Sequence, residues 1–192
     1  IHGTLFVLCQ DLHIDGTVYG DVIGGALRTE INGQVYGNVY MLSSQMDVRG
    51  RVTKDLHFGG VVLRLNPPYE NVPTEMVEGA GSNPQWIGGS VKAFSLSTTV
   101  FENCIIDDGI LNAGYQLVVQ GDVRNEITFW GSAFLIDGLV TGNVYASVGN
   151  PDAESHTLET LLIPFKFDVH LLNPGLIISE NAHLKANLQY TG

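Results

Sequence analysis

Asp107-Asp108-Gly109 is the one place in this 192-residue chain where two carboxylates adjoin, and paired carboxylates are what glycoside cleavage needs to divide acid and base roles. The same three residues also spell an Asx-type turn, in which a short acidic side chain accepts bonds from the backbone just ahead. The turn is the more frequent use of such a triplet, and it is the reading taken here. Six histidines, His2, His13, His57, His156, His170 and His183, are scattered singly. They read as solvated or internally satisfied rather than as ligands. Cys9 and Cys104 lack the short-spaced partners of a metal site. No Gly-x-Ser-x-Gly elbow, P-loop or dinucleotide fingerprint occurs. No catalytic, cofactor-binding or metal-binding residue is assigned, and the chain is read as other than an enzyme.

What positions these residues is a pattern stated three times: Ile14-Asp15-Gly16-Thr17-Val18-Tyr19-Gly20-Asp21-Val22, then Ile31-Asn32-Gly33-Gln34-Val35-Tyr36-Gly37-Asn38-Val39, then Val48-Arg49-Gly50-Arg51-Val52, each copy 17 residues after the last. Aliphatic residues at alternate positions share a face only if the segment is extended. A short exact period of this kind marks one coil of a solenoid, so the chain is predicted to be all-β, a single-stranded parallel β-helix of about 17 residues per coil. Ile14, Val18, Val22, Ile31, Val35, Val39, Val48 and Val52 then point inward in three layers. Gly16, Gly33 and Gly50 stack at a corner where a Cβ would clash. The pattern returns at Ile87-Gly88-Gly89-Ser90-Val91, Val119-Gln120-Gly121-Asp122-Val123 and Ile136-Asp137-Gly138-Leu139-Val140. It is also read at Ile1-His2-Gly3-Thr4-Leu5, with Gly3 in the place of Gly16. Gly50 to Gly89 spans two coils plus five residues, so further coils are expected through Val61–Leu65 and Cys104–Ile106. On this count the cysteines lie about five coils apart, more than about 20 Å, too far for a disulfide. Both read as small buried hydrophobes.

With 44% hydrophobic residues the chain can bury one continuous core, and a single domain spanning 1–192 is expected. The net charge of −11 argues against nucleic acid and anionic lipid as partners. No run of apolar residues is long enough to span a membrane. Two insertions interrupt the coils, at about 66–85 and 149–162. The first is proline-rich and carries Glu70, Glu75 and Glu78 with no basic residue, and reads as an acidic loop leaving the solenoid at a corner, a tolerated insertion more often than a functional lid. The second reads as a protrusion with a helical turn at Thr157–Thr160, followed by strand-like sequence from Leu161 to Val169. Outward residues 17 apart should form ladders: Tyr19 on Tyr36, Asp21 on Asn38 and Asp55, and Tyr40 beside Ile23 and His57, with Tyr145 in the equivalent place on a later coil. Such ladders stabilise the sheet they sit on, and an aromatic strip can also serve as a side-to-side or ligand-binding surface.

The repeated [Ile/Val]-x-Gly-x-Val-x-Gly-[Asp/Asn]-Val, together with the closing Ile178-x-x-x-Ala182-x-Leu184-x-Ala186-Asn187-Leu188-x-Tyr190, resembles the bactofilin-type polymer-forming β-helix proteins of bacteria and their exported, membrane-associated relatives. The resemblance implies a right-handed, roughly triangular β-helix whose subunits stack end to end into filaments without nucleotide or other cofactor. It places the protein outside a bacterial cell or on its surface, with a cytoplasmic cytoskeleton as the alternative location. The partner would be the protein itself, and other cell-envelope components are further candidates. Because alternation runs from Ile1 through Tyr190, the ends are expected to be open and their unpaired strand edges to template stacking. Ile1, Gly3, Leu5 and Phe6 of one subunit would meet Ile178, Leu184, Leu188 and Tyr190 of the next. The alternative function is a surface β-helix that binds or cleaves polysaccharide.

Overall fold

A computed structural model describes residues 1–67, 85–150 and 169–192. Numbered in chain order, the strands of one 11-stranded parallel sheet are β1 (Leu5–Ile14), β3 (Val22–Ile31), β5 (Val39–Val48), β7 (Leu56–Leu65), β9 (Ser90–Val100), β11 (Gly109–Val119), β13 (Glu126–Trp130), β14 (Ala133–Ile136), β16 (Val144–Ser147), β17 (Gly175–Ile178) and β19 (Leu188–Thr191). An 8-stranded parallel sheet is made of the short strands β2 (Thr17–Val18), β4 (Gln34–Val35), β6 (Arg51–Val52), β8 (Gln85–Ile87), β10 (Cys104–Ile106), β12 (Asp122–Val123), β15 (Leu139–Val140) and β18 (His183–Leu184). Each short strand closes one coil. The fold is the expected parallel β-solenoid, with no helix among the described residues.

Pairing follows the period. Leu5 pairs with Val22, Val22 with Val39 and Val39 with Leu56, a step of 17 each time. Within each long strand the inward set changes parity: Val39, Met41 and Ser43 are buried, then Met46 and Val48. A strand shifts its alternation only by bending, and the pairing skips Ser44 at that bend. The first six coils therefore have three straight stretches: two halves of a long strand, which form a first and a second flank, and one short strand; β13, β16 and β19 continue the first flank and β14 and β17 the second. The bend is lined by a column of small residues, Ala26, Ser43, Gly60, Ser95 and Gly114. At this corner a Cβ on Gly60 would collide with the Ser43 carbonyl oxygen, and one on Gly114 with that of Ser95.

All eight residues assigned to the first three inward layers are buried, and Val18 pairs with Val35 as the register requires. Gly16, Gly33 and Gly50 stack as expected. The Gly33 N–H donates to the Ile14 carbonyl at 2.8 Å and the Gly50 N–H to that of Ile31 at 2.9 Å, so the backbones approach too closely for a side chain between them.

Several register assignments need correction. Val52 pairs directly with Ile87, and Leu56 with Val91. Gly50 to Gly89 is thus not two coils plus five but one coil carrying an insertion, and Val61–Leu65 is the second half of β7 rather than a coil of its own. Gly3 does not take the place of Gly16. A Cβ on Gly20 would collide with Gly3, and the Tyr19 N–H donates to the Ile1 carbonyl at 2.9 Å, so Ile1-x-Gly3-x-Leu5 lies on Val18-x-Gly20-x-Val22. Ile87-x-Gly89-x-Val91 lies on the same positions. The cause is that each coil has two glycine corners four residues apart, one on each side of the short strand, and a single x-Gly-x motif fits either.

The first insertion leaves after Pro67 and rejoins at Gln85, which already belongs to β8. The acidic loop itself, the helical turn at Thr157–Thr160 and most of the strand-like stretch from Leu161 lie outside the described residues. Beyond the second insertion, Val169–Leu172 packs on the second flank. There the Tyr115 hydroxyl donates to the Leu172 carbonyl at 3.0 Å, and Leu171 is buried against Tyr115 and Ala133.

Candidate functional site

The carboxylate pair is structurally committed. Asp107 accepts from the Trp86 indole N–H at 2.7 Å and from Arg124 at 2.8 Å, while Asp108 accepts from Asn125 at 3.2 Å. Arg51 lies 3.9 Å over the Trp86 ring, so these residues tie four successive coils together along one corner. Gly109 follows at φ 126°, a conformation that favours glycine, while the two carboxylates bond to side chains of the coils on either side rather than to the backbone just ahead.

The histidines are not brought together. His2 stacks on Tyr19, His57 stacks on Tyr40, and His13 lies 3.3 Å from Glu30. His156 lies outside the described residues, among which no group of three potential metal ligands occurs. Both thiols are free, and the cysteines sit four coils apart, on β1 and β10. Cys104 is buried and donates to the Gln85 side-chain oxygen at 2.5 Å, and burial pushes its thiol far above the ordinary range. Cys9 corrects the expectation of two buried cysteines. It is exposed, because it occupies the corner column in the outermost coil, where no earlier strand covers it.

The ladders form as expected. Tyr19 stacks on Tyr36 with ring centres 5.3 Å apart, and Tyr40 on His57 at 4.5 Å. Asp21 accepts from the Asn38 N–H at 2.7 Å, and Asp55 accepts from the Ser90 N–H at 2.9 Å and from Lys92 at 3.0 Å. Burial alone would raise the Asp55 carboxyl, but the Ser90 and Lys92 bonds outweigh it and hold the group below the usual carboxylate range. Burial lowers His57, and the Lys92 ammonium lowers it further against a weaker pull from Asp55.

Two surfaces remain. The first is the pair of ends. β1 and β2 close one end of the stack, and β17, β18 and β19 close the other, each with a neighbour on one side only among the described residues. Leu5, Leu184 and Leu188 lie in inward columns and are partly exposed. Ile1, Ile178 and Tyr190, whose column neighbours Val18, Ile136 and Ala146 are buried, are exposed. Val7, Leu176 and Ala182 belong with them, packed against the core from the terminal coils. Phe6 does not. It alternates outward between Leu5 and Val7, is 74% exposed, and pairs with Ile23 on the first flank.

The second surface is that flank, the outward face of the first half of each long strand. It holds an open groove of about 630 Å³ lined by Tyr40, Leu42, Gly59, Phe94, Leu111 and Trp130, among others. Leu8, Leu42, Phe94 and Trp130 stand out of it at 90%, 69%, 74% and 53% exposure. Contiguous apolar surface on this scale marks an interaction site. These residues lie two coils apart but 34, 52 and 36 positions apart along the chain, a spacing that single-coil alignment does not reveal. Also missed was the buried ion pair of Asp47, 2% exposed, with Arg64, whose two bonds measure 2.7 Å. Its spacing of 17 was the available signal.

Fold and surfaces together define a parallel β-solenoid with apolar ends and one apolar flank. No protein-family model, curated protein sequence or solved structure matches the chain.

Proposed function

We propose that this is a structural protein of bactofilin type that stacks end to end into filaments without nucleotide, outside a bacterial cell or on its surface. The observation that carries the reading is the state of the terminal coils. Their inward columns end in apolar side chains with no layer above them among the described residues, beside strand edges whose N–H and C=O groups face outward. Stacking a second subunit in register sets its Leu5 on Leu188 and its Ile1 on Leu184, continuing two of the three faces. On the third face Ile178 and the next subunit's Ile14 lie two layers apart, which leaves a slot about one strand wide. The contact is heterologous and does not close, so it propagates. The charge of −11 on each subunit opposes it, and salt screens that repulsion.

The alternative, a surface β-helix that cleaves polysaccharide, draws no comparable support, since Asp107 and Asp108 are occupied by bonds between coils. Electron microscopy and light scattering across salt and calcium concentrations test the filament reading. Unmodified protein should form filaments, more readily as salt rises. Leu5→Glu and Leu188→Glu should abolish them while the β-rich circular dichroism persists. Filaments that survive both substitutions, or protein that never assembles beyond a dimer, would overturn it.

A further inference from the structure

One outward column of the first flank alternates with a period of two coils. It reads Leu8, Gly25, Leu42, Gly59, then Phe94, Ala113, Trp130, Ser147, each residue paired to the next along the stack, with Thr191 of the terminal strand beyond the eighth coil. Large side chains stand on coils one, three, five and seven, and small residues on the coils between. At about 4.8 Å per coil the ridges recur about every 9.6 Å with a notch between each pair.

The notches are not demanded by the fold. A Cβ on the neighbouring Gly24 or Gly60 would collide with a backbone oxygen of the adjacent coil, which accounts for those glycines. At Gly25 and Gly59 the backbone is ordinary strand. A Cβ on Gly25 would meet nothing closer than 3.4 Å, and one on Gly59 only the flexible tip of Leu42 at 2.6 Å. Glycine inside a strand is destabilising by roughly 0.5–1 kcal/mol relative to alanine. Two such residues on an exposed face, alternating with exposed Leu and Phe, therefore point to something that fills the space above them.

We propose that two copies of this chain pack flank against flank, antiparallel, about a two-fold axis running along the strands between β7 and β9, with each large side chain of one copy seated over a small residue of the other. That axis sets coil n of one copy against coil 9 − n of its partner, so odd coils always face even ones. Leu8 meets Ser147, Gly25 meets Trp130, Leu42 meets Ala113 and Gly59 meets Phe94. The neighbouring outward column pairs apolar groups as well, Phe6 with Tyr145 and Tyr40 with Leu111. At its centre His57 faces Lys92, whose charge is already met by Asp55 at 3.0 Å. An axis along the solenoid instead brings the alternating column opposite its neighbour and loses the match.

The flank is about 38 Å tall and about 16 Å wide, so the pair buries roughly 1,200 Å² in total, at the lower edge of specific interfaces. A linear glycan suits the groove less well. Among its lining residues only Tyr40, His57, Lys92 and Trp130 carry polar side-chain atoms, and Lys92 is engaged. The pairing is independent of end stacking, and if both operate the filaments are double and without polarity.

Sedimentation velocity on Leu5→Glu protein, which cannot stack by its ends, isolates this contact. A dimer is expected, and Gly59→Phe should weaken it about tenfold or more by setting ridge against ridge, with circular dichroism unchanged. The swap Gly59→Phe/Phe94→Gly restores large opposite small and should recover dimerisation. In mixtures, Gly59→Cys and Phe94→Cys copies should form a disulfide with each other and not with themselves. A monomer at all concentrations, a dimer indifferent to Gly59→Phe, a swap that fails to rescue, or self-cross-linking of either cysteine variant would overturn the proposal. So would cello- or chito-oligosaccharides that displace the dimer by binding the groove.

Discussion

Alanine at Gly33 and at Gly16 should have opposite outcomes, although both positions share one corner column and neither backbone is left-handed. At Gly33 the new methyl falls on the Gly16 carbonyl oxygen and within 2.7 Å of the Asp15 carbonyl carbon. These are backbone atoms, so relief requires moving the coil. The move strains three bonds between coils: Asn32 and Gly33 N–H to the Ile14 carbonyl at 2.9 and 2.8 Å, and Gln34 N–H to the Gly16 carbonyl at 3.0 Å. Losing two of them at about 1 kcal/mol each, with overpacking of about 1–3 kcal/mol, gives a destabilisation of about 3–5 kcal/mol. That is a large part of the ~5–15 kcal/mol that holds an ordinary domain together. At Gly16 a Cβ meets nothing within 4 Å, because the corner faces the end of the stack, and alanine there should change stability by less than about 1 kcal/mol. Urea unfolding followed by circular dichroism on Leu5→Glu protein, free of end stacking, measures both. If Gly33→Ala costs less than about 1 kcal/mol, or if the two substitutions cost the same, the corner does not hold the coils in close backbone contact as described.

Acid should destabilise the fold in two steps. The folded state holds His57 below its ordinary 6.5, so as pH falls through that value the unfolded chain takes up a proton that the native state refuses. Asp55 is held below 3.8, and its contribution, present above that pH, is lost as pH falls further. Melting temperature against pH should show both decreases, and His57→Gln should remove the upper one. Cys9 should be alkylated in native protein while Cys104 reacts only after unfolding, so a mass spectrum showing two labels on folded protein would contradict the burial of Cys104. The double variant Asp107→Ala/Asp108→Ala should lose about 1–2 kcal/mol of stability and no activity. If polysaccharide cleavage were found and this variant lacked it, the structural reading of the pair would fall.

The solenoid was legible in the sequence because its repeat is local. Alternation forces extended chain, and the 17-residue step between Ile14 and Val52 forces each coil onto the last, so inward residues, the Gly16–Gly33–Gly50 corner and the Tyr19–Tyr36 and Asp21–Asn38 ladders all follow from position alone. Tertiary structure was needed wherever the local pattern is degenerate or broken. Gly3 and Gly89 fit either of two glycine corners, and only strand pairing to Gly20 and Lys54 chose between them. Counted by period, the insertion between Pro67 and Gln85 adds an extra coil, whereas in the fold Val52 pairs directly with Ile87. The flank was hidden for a related reason: Leu42 and Phe94 are 52 residues apart in sequence but two coils apart in space, and the glycine between them, Gly59, looks like any other glycine of a repeat. Only with the coils stacked does it become a notch, because whether a missing side chain relieves a backbone clash or opens a surface depends on which atoms lie above it.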